Sequence, residues 1–82
     1  MYVKNSVAIY RRKAGLRQID LANAVGIKRT HLSFYEQGHW ILSFEKLEEI
    51  ARALNVTIDR LYPPAAINFL LETDKADTAQ VK

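Results

Sequence analysis

The sequence contains no cysteine, and this excludes a disulfide scaffold, a thiolate zinc site and a cysteine nucleophile. Glycine and proline are scarce, with three and two residues among the 82, so the chain is not a low-complexity segment. No apolar run approaches the about 18 residues that a membrane span needs, and the N-terminus has no signal-peptide pattern. We therefore expect a cytoplasmic protein without a membrane segment.

The sequence also lacks the residue spacings that catalytic chemistry requires. Its two histidines and scattered carboxylates have no metal-ligand spacing, and it contains no glycine-rich phosphate loop or nucleophile elbow. We expect no enzymatic activity, no metal site and no cofactor.

Positive charge is concentrated in one half of the chain. Residues 1–34 contain seven basic side chains and one acidic side chain, for a net charge of +6, whereas residues 35–82 contain five basic and eight acidic side chains, for a net charge of −3. Lys and Arg side chains that neutralise phosphates release counterions, so this asymmetry favours a contact between the N-terminal half and a polyanion. Charge alone is equally consistent with a solvated basic surface that has no partner.

The spacing of apolar residues predicts short helices and no strands, with each of the three glycines placed where a helix ends. The predicted helices cover residues 6–14, 18–25, 29–37, 44–54 and about 58–62, with a possible sixth over 65–72. The residues predicted to face the core are Val7, Tyr10 and Ala14 in the first helix, Leu21, Ala22 and Val25 in the second, and Leu47, Ile50, Ala51 and Leu54 in the fourth. The sequence thus predicts an all-α fold.

Several helix ends and one loop have their own signals. Ser43 and Thr57 are typical N-cap residues, and Asn55 is a typical C-terminal cap. The apolar segment after Gly38 predicts a loop that inserts Trp40 or Ile41 into the core.

Residues 18–37 have the dimensions of a helix-turn-helix, two short helices joined by a tight turn at Gly26. The sequence of residues 16–38, LRQIDLANAVGIKRTHLSFYEQG, resembles the lambda-repressor-like (Cro-type, XRE-type) family. As in that family, a Gln opens the second helix, Leu-Ala lies within it, Gly follows it and Glu-x-Gly closes the third. The likeness extends over about residues 6–62.

The resemblance implies a five-helix domain, plus the possible sixth helix, that binds double-stranded DNA. We assign this DNA-binding domain to residues 1–64, and a C-terminal helix and flexible tail to residues 65–82. Members of the family usually bind as homodimers to inverted-repeat operators. The resemblance therefore implies a sequence-specific transcriptional regulator, and we expect a repressor.

The third helix supports this interpretation from its own residues. At about 100° per residue, Leu32 and Tyr35 share one face, while Thr30, Ser33 and Phe34 point the opposite way. An apolar face held by the domain leaves the polar face free to enter a major groove.

The starts of the two motif helices give a second argument. Arg17 precedes the second helix and Lys28 precedes the third, so each places a cation at a positive helix end and forgoes about 0.5 to 2 kcal/mol of capping. The family commonly has Ser or Thr near both positions. A DNA phosphate would supply the missing anion. The alternative is that both side chains lie in solvent and the caps are poor.

The resemblance also implies roles for single residues. We expect Arg29 to read a guanine, and Gln18 to bond a phosphate and brace a recognition side chain. Phe34 fits a thymine methyl or, equally, another part of the domain, and His39 is either a phosphate contact or an ordinary loop residue. The candidate DNA-binding residues are Arg17, Gln18, Lys28, Arg29, Thr30, Ser33, Phe34 and His39. In relatives, the positions of Arg11 and Glu36 often form an ion pair between the first and third helices.

The C-terminal segment at residues 65–72 leaves another function open. Ile67, Phe69, Leu70 and Leu71 are too many apolar groups to leave in water, so the segment packs on its own core, completes a homodimer or binds a protein partner. An antitoxin-type regulator with such a partner is one alternative. A restriction-modification controller is another, and either would autoregulate its operon.

Overall fold

A computed structural model describes the backbone of residues 4–81 and the side chains of residues 4–72. The described residues form helices and no strand, so the predicted all-α fold is confirmed. The helices are α1 (Val7–Lys13), α2 (Gln18–Val25), α3 (Arg29–Gln37), α4 (Phe44–Leu54), α5 (Ile58–Leu61) and α6 (Pro64–Val81).

The core is built by all six helices, because short helices of two or three turns hold their shape only when packing supports them. The buried apolar residues include Val7 of α1, Leu21, Ala22 and Val25 of α2, Leu32 of α3, Leu47, Ile50, Ala51 and Leu54 of α4, Leu61 of α5 and Leu70 of α6. Helix α2 packs against both α3 and α4, and α6 packs against α4 and α5. The inward residues predicted for α2 and α4 are confirmed.

The inward face of α1 differs from the prediction. Val7 is buried and Tyr10 is partly buried, but Ala14 is exposed and follows the end of the helix. The buried residue one turn after Val7 is Arg11, with 7% of its surface exposed. Apolar spacing missed it because its polar head is satisfied by partners on other segments.

Most predicted helix ends are confirmed. Gly26 and Gly38 have φ angles of 72° and 85°, in the left-handed region that glycine adopts at low cost, and Asn55 ends α4 with a φ of 58°. The Ser43 hydroxyl accepts the Lys46 N–H at 3.2 Å and so caps α4. Thr57 occupies the predicted N-cap position of α5, although its side chain makes no capping hydrogen bond.

The loop between α3 and α4 packs Ile41, one of the two residues predicted, against the core and buries Leu42 more deeply. Leu42 is buried with 1% exposure, Ile41 is partly buried against the core, and Trp40 remains 42% exposed. Of the two predicted alternatives, Ile41 is therefore confirmed and Trp40 is not. The Trp40 ring packs on the outer surface of α3 instead, as described below.

The C-terminal helix is longer than predicted, because α6 continues beyond Glu72 to Val81. Leu70 is buried and Ile67 packs against the core, whereas Phe69 and Leu71 are 43% and 39% exposed. The side chains of residues 73–82 lie outside the described residues. The division into a domain and a flexible tail therefore stays a prediction.

Tyr62 carries an unusual buried hydroxyl. The residue is 1% exposed, and its hydroxyl has no hydrogen-bond partner in the described part of the chain. Burial, aided by the nearby Tyr35, raises the pKa of Tyr62 to about 12; the Leu42 backbone opposes the rise only weakly, because its contact with the hydroxyl falls outside hydrogen-bond geometry. The folded state thus favours the protonated phenol.

We predict that Tyr62→Phe leaves the free energy of unfolding at neutral pH unchanged or raises it by up to about 1 kcal/mol, because it removes a buried polar group that lacks a partner. An unfolded tyrosine ionises near pH 10, below the folded pKa, so this tyrosine's contribution is fully present below pH 10 and is lost as the pH rises towards 12. Across that range the free energy of unfolding of the variant should therefore rise by about 2 to 3 kcal/mol relative to that of the wild type. Urea denaturation at several pH values measures both effects, and a clear loss of stability at neutral pH would contradict the prediction.

Candidate nucleic-acid interface

Helices α2 and α3 form a helix-turn-helix whose turn is held by the backbone. Gly26 ends α2 in the left-handed conformation, and the next amide, that of Ile27, donates to the Ala22 carbonyl at 3.0 Å. The Ile27 side chain is partly buried against the core. The turn is therefore fixed at both its backbone and its side chain, and it sets the direction in which α3 leaves α2.

Helix α3 has a packed face and an exposed face, as its residue spacing predicts. Leu32 is fully buried and Tyr35 is partly buried, whereas Thr30 and Phe34 are exposed. Ser33 is partly buried, and its hydroxyl accepts a hydrogen bond from Gln37 at 2.9 Å. An exposed strip, polar at Thr30 and aromatic at Phe34, thus runs along the outside of α3.

The start of α2 differs from the prediction that it lacks an anion. The Asp20 carboxylate accepts the backbone N–H of Arg17 at 2.9 Å and two guanidinium hydrogen bonds from Arg17 at 3.0 Å each. These hydrogen bonds lower the pKa of Asp20 and raise the pKa of Arg17. The chain itself supplies the negative charge at this helix end, so a phosphate is not needed to explain Arg17.

The start of α3 keeps the open positive end that the sequence predicts. Lys28 makes no side-chain capping hydrogen bond, and no acidic residue lies in the first turn. Lys28 and Arg29 are both exposed there. The unsatisfied amides of a helix start and two cations at the same end together favour binding of an anion.

Arg29 is connected to the core through Gln18. The Arg29 Nη1 donates to Gln18 Oε1 at 3.2 Å, and Gln18 Nε2 donates to Glu36 Oε1 at 2.9 Å. Gln18 is partly buried at the first position of α2, whereas Arg29 is exposed. Gln18 thus contacts Arg29, another of the candidate DNA-binding residues.

Glu36 is held by a buried ion pair with Arg11, the pair that the resemblance implied. Arg11 Nε and Nη2 donate to the two oxygens of the Glu36 carboxylate at 2.6 and 3.2 Å, and Arg11 Nη1 donates to the Leu16 carbonyl at 2.8 Å. The side chains of Arg11 and Glu36 are 8% and 4% exposed. The pair joins α1 to α3 and to the loop before α2.

An aromatic cluster covers the C-terminal half of α3. The Trp40 ring lies 4.7 Å from Phe34, 5.0 Å from His31 and 5.8 Å from Tyr35, measured between ring centroids, and His39 lies 6.5 Å from Phe34. Phe34 therefore contacts its own domain, one of its two predicted roles, yet it keeps 40% of its surface exposed. His39 is exposed as well.

The structure brings some of the predicted site residues into contact with one another, whereas the Arg17 side chain pairs with Asp20. Gln18 contacts Arg29, and Phe34 contacts His39. Thr30 and Ser33 lie on α3, and Lys28 lies at its start, whereas Arg17 pairs with Asp20. Sequence reasoning missed Asp20 and Trp40. Asp20 carried a readable signal, because an acidic residue three positions after an N-cap is typical of a reciprocal cap.

The described residues form neither a metal site nor a membrane span. They contain no group of three or more His, Asp or Glu side chains that could hold a metal ion. No helix in that part of the chain has the length and hydropathy of a membrane span.

Comparison with known proteins gives consistent matches. A family model described as "Helix-turn-helix" matches residues 7–61. A hypothetical transcription factor of Neisseria meningitidis serogroup B is 32% identical over 76 residues, which make up 93% of this chain and 72% of that protein. The cryptic phage CTXphi transcriptional repressor RstR of Vibrio cholerae is 34% identical over 61 residues, or 74% of this chain and 54% of that protein.

A solved structure of a controller protein is also similar. The restriction-modification controller protein C.AhdI from Aeromonas hydrophila matches with a TM-score of 0.62 and 26% sequence identity. The match covers 66% of this chain and 82% of the controller.

The ion pair makes a prediction about stability. Glu36→Ala leaves the Arg11 guanidinium buried without its partner, so the free energy of unfolding should fall by about 3 to 5 kcal/mol. The matched control, Arg11→Met with Glu36→Leu, removes both charges and keeps apolar volume, so it should cost much less. Urea denaturation followed by circular dichroism compares the two. Equal losses from the single and the paired replacement would contradict the prediction.

Proposed function

The chain belongs to the helix-turn-helix family of DNA-binding transcriptional regulators, and we propose that it is a sequence-specific repressor that binds an inverted-repeat operator as a homodimer. One observation carries the proposal most strongly. The exposed strip of α3 begins at an uncapped positive helix end, where Arg29 is held by a hydrogen-bond path that leads into the core. Such a strip suits base reading, and such an end suits a phosphate.

Helix α3 fits a major groove in size and chemistry. A helix with its side chains is about 10 to 12 Å across, close to the about 12 Å width of the groove. Arg29 uses one guanidinium nitrogen on Gln18 and keeps its other donors for the O6 and N7 atoms of a guanine. Thr30 and Ser33 follow on the same helix and supply methyl and hydroxyl contacts to neighbouring bases.

The remaining candidate residues suit the DNA backbone and the groove edge. Lys28 and the first amides of α3 would bind one phosphate, and the second amide hydrogen of Gln18 is available for another. Arg17 would join the contact by exchanging Asp20 for a phosphate. His39 would contact the backbone beside the aromatic cluster, where the exposed edge of Phe34 suits a thymine methyl.

The proposal includes both the direction of regulation, which is repression, and the oligomeric state, which is a homodimer. The repressor name of the Vibrio relative supports repression, in which an occupied operator excludes the transcription machinery. We propose that the homodimer forms in the cytoplasm and that Phe69 and Leu71, two large apolar residues exposed in the described part of α6, contribute to its interface.

A second candidate function is supported by the likeness to the Aeromonas controller. In this alternative the protein autoregulates its operon, either as a restriction-modification controller or as an antitoxin-type regulator whose residues 65–72 bind a protein partner. Purification of the chain together with the products of its operon distinguishes these functions. A stable second polypeptide would favour the antitoxin type, and a homodimer alone on DNA would favour a repressor or controller.

The proposed roles of Arg29 and Lys28 predict different binding defects. Arg29→Ala should weaken binding by about 1 to 3 kcal/mol and relax the preference at one base pair, because a bidentate base contact is lost. Lys28→Ala should weaken binding to all sequences alike and reduce the slope of log K against log salt by about 1, because a phosphate contact is lost. Fluorescence anisotropy with labelled duplexes at several salt concentrations measures both, and wild-type affinity in either variant would remove that residue from the interface.

The proposed homodimer predicts the form of the operator. Selection of bound duplexes from a random-sequence library should return an inverted repeat whose half-site centres lie about one helical turn, or about 34 Å, apart. Sedimentation of the selected complex should show two chains for each duplex. An asymmetric single site bound by one chain would contradict the homodimer.

A further inference from the structure

We propose that Glu36 is a positioning residue for base recognition, because its buried carboxylate decides which end of the Gln18 amide faces Arg29. This inference rests on the proposed DNA-binding role of Arg29. It assigns Glu36 a task beyond its ion pair with Arg11, that of setting base specificity from inside the domain.

The first step concerns the Gln18 amide. A glutamine amide has two orientations of nearly the same shape, which differ in whether NH2 or C=O points in a given direction. Glu36 Oε1 lies 2.9 Å from Gln18 Nε2. A carboxylate paired with a guanidinium accepts hydrogen bonds and does not donate them, so a carbonyl turned towards it would be repelled. The NH2 end of Gln18 therefore faces Glu36.

The second step concerns the carboxylate, which is itself immobilised. Arg11 binds both of its oxygens, and the Glu36 side chain is 4% exposed. Arg11 also donates to the Leu16 carbonyl at 2.8 Å, only two residues before Gln18. Glu36 is thus a fixed acceptor, and charge-assisted hydrogen bonds of this kind are stronger than neutral ones.

The third step concerns Arg29. With its NH2 end on Glu36, Gln18 presents its carbonyl oxygen outwards, and Arg29 Nη1 donates to that oxygen at 3.2 Å. A reversed amide would present hydrogens to a guanidinium that has only donors, so Arg29 would be released to many rotamers. Because a bidentate contact with guanine requires a fixed guanidinium plane, the orientation of Gln18 sets how selectively Arg29 reads a base.

A double-mutant cycle separates this role from a purely structural one. Arg11→Met with Glu36→Leu removes the acceptor without leaving a buried unpaired charge, and Gln18→Met removes the amide at a partly buried position. The third variant combines all these replacements. The readout is the ratio of Kd values for a duplex recovered from a random library and the same duplex changed at the base pair whose preference is lost in Arg29→Ala.

We expect this ratio of Kd values to fall about fivefold to tenfold in the ion-pair variant. The salt dependence of binding should be unchanged, because no phosphate contact is removed. In the Gln18→Met background the same replacement should cause a much smaller further loss, because Glu36 acts on Arg29 mainly through Gln18. Full retention of the ratio, or an equal further loss without Gln18, would overturn the inference. Absence of any base preference in the wild type would instead overturn the proposed function.

A measurement on the wild-type protein does not depend on how the variants fold. In a nuclear Overhauser spectrum the Gln18 side-chain amide protons should lie closer to the γ-protons of Glu36 than to the Arg29 side chain. Amide protons that lie closer to Arg29 than to Glu36 would overturn the inference.

Discussion

The position of the recognition helix depends on the buried ion pair between Arg11 and Glu36. Helix α3 buries a single residue, Leu32, whereas α4 buries four, so apolar packing alone gives α3 little support. The ion pair ties α3 to α1, and the Asn5 amide adds a second link by donating to the Tyr35 carbonyl at 2.8 Å. Helix α3 keeps an exposed strip in water, and polar contacts on its inner side hold it in position. Because these contacts are desolvated, each is costly to break.

The helix starts differ in whether the chain itself supplies an acceptor or a negative charge for the first backbone amides. Helix α4 begins with a Ser43 cap, and α2 begins with the Asp20 carboxylate turned back onto Arg17. Only α3, among these three helices, starts without a side-chain acceptor or an acidic first turn. The capping energy that α3 forgoes is small beside the stability of a domain, and it leaves a positive helix end free beside the strip proposed to read bases.

Sequence reasoning predicted the helices, whose apolar residues recur periodically. It failed for contacts that depend on the direction in which a single side chain points. The bounds of α2, α3 and α4 agree with the spacing of Leu, Ala, Val and Ile residues and with the glycine turns. Trp40 was misplaced because a loop has no periodicity that indicates which residue turns inward. Its ring packs on Phe34 instead of entering the core. The contact between Gln18 and Glu36 joins residues 18 apart along the chain, and no local pattern encodes it. The roles of single residues on DNA stay predictions.

A structure of the protein on its selected duplex tests the central claim most directly, namely that the buried ion pair presents α3 to DNA. The account predicts α3 in the major groove, Arg29 against a guanine edge, and Gln18 bonded to both Arg29 and Glu36. A complex in which another surface holds the DNA and α3 stays in solvent would contradict it.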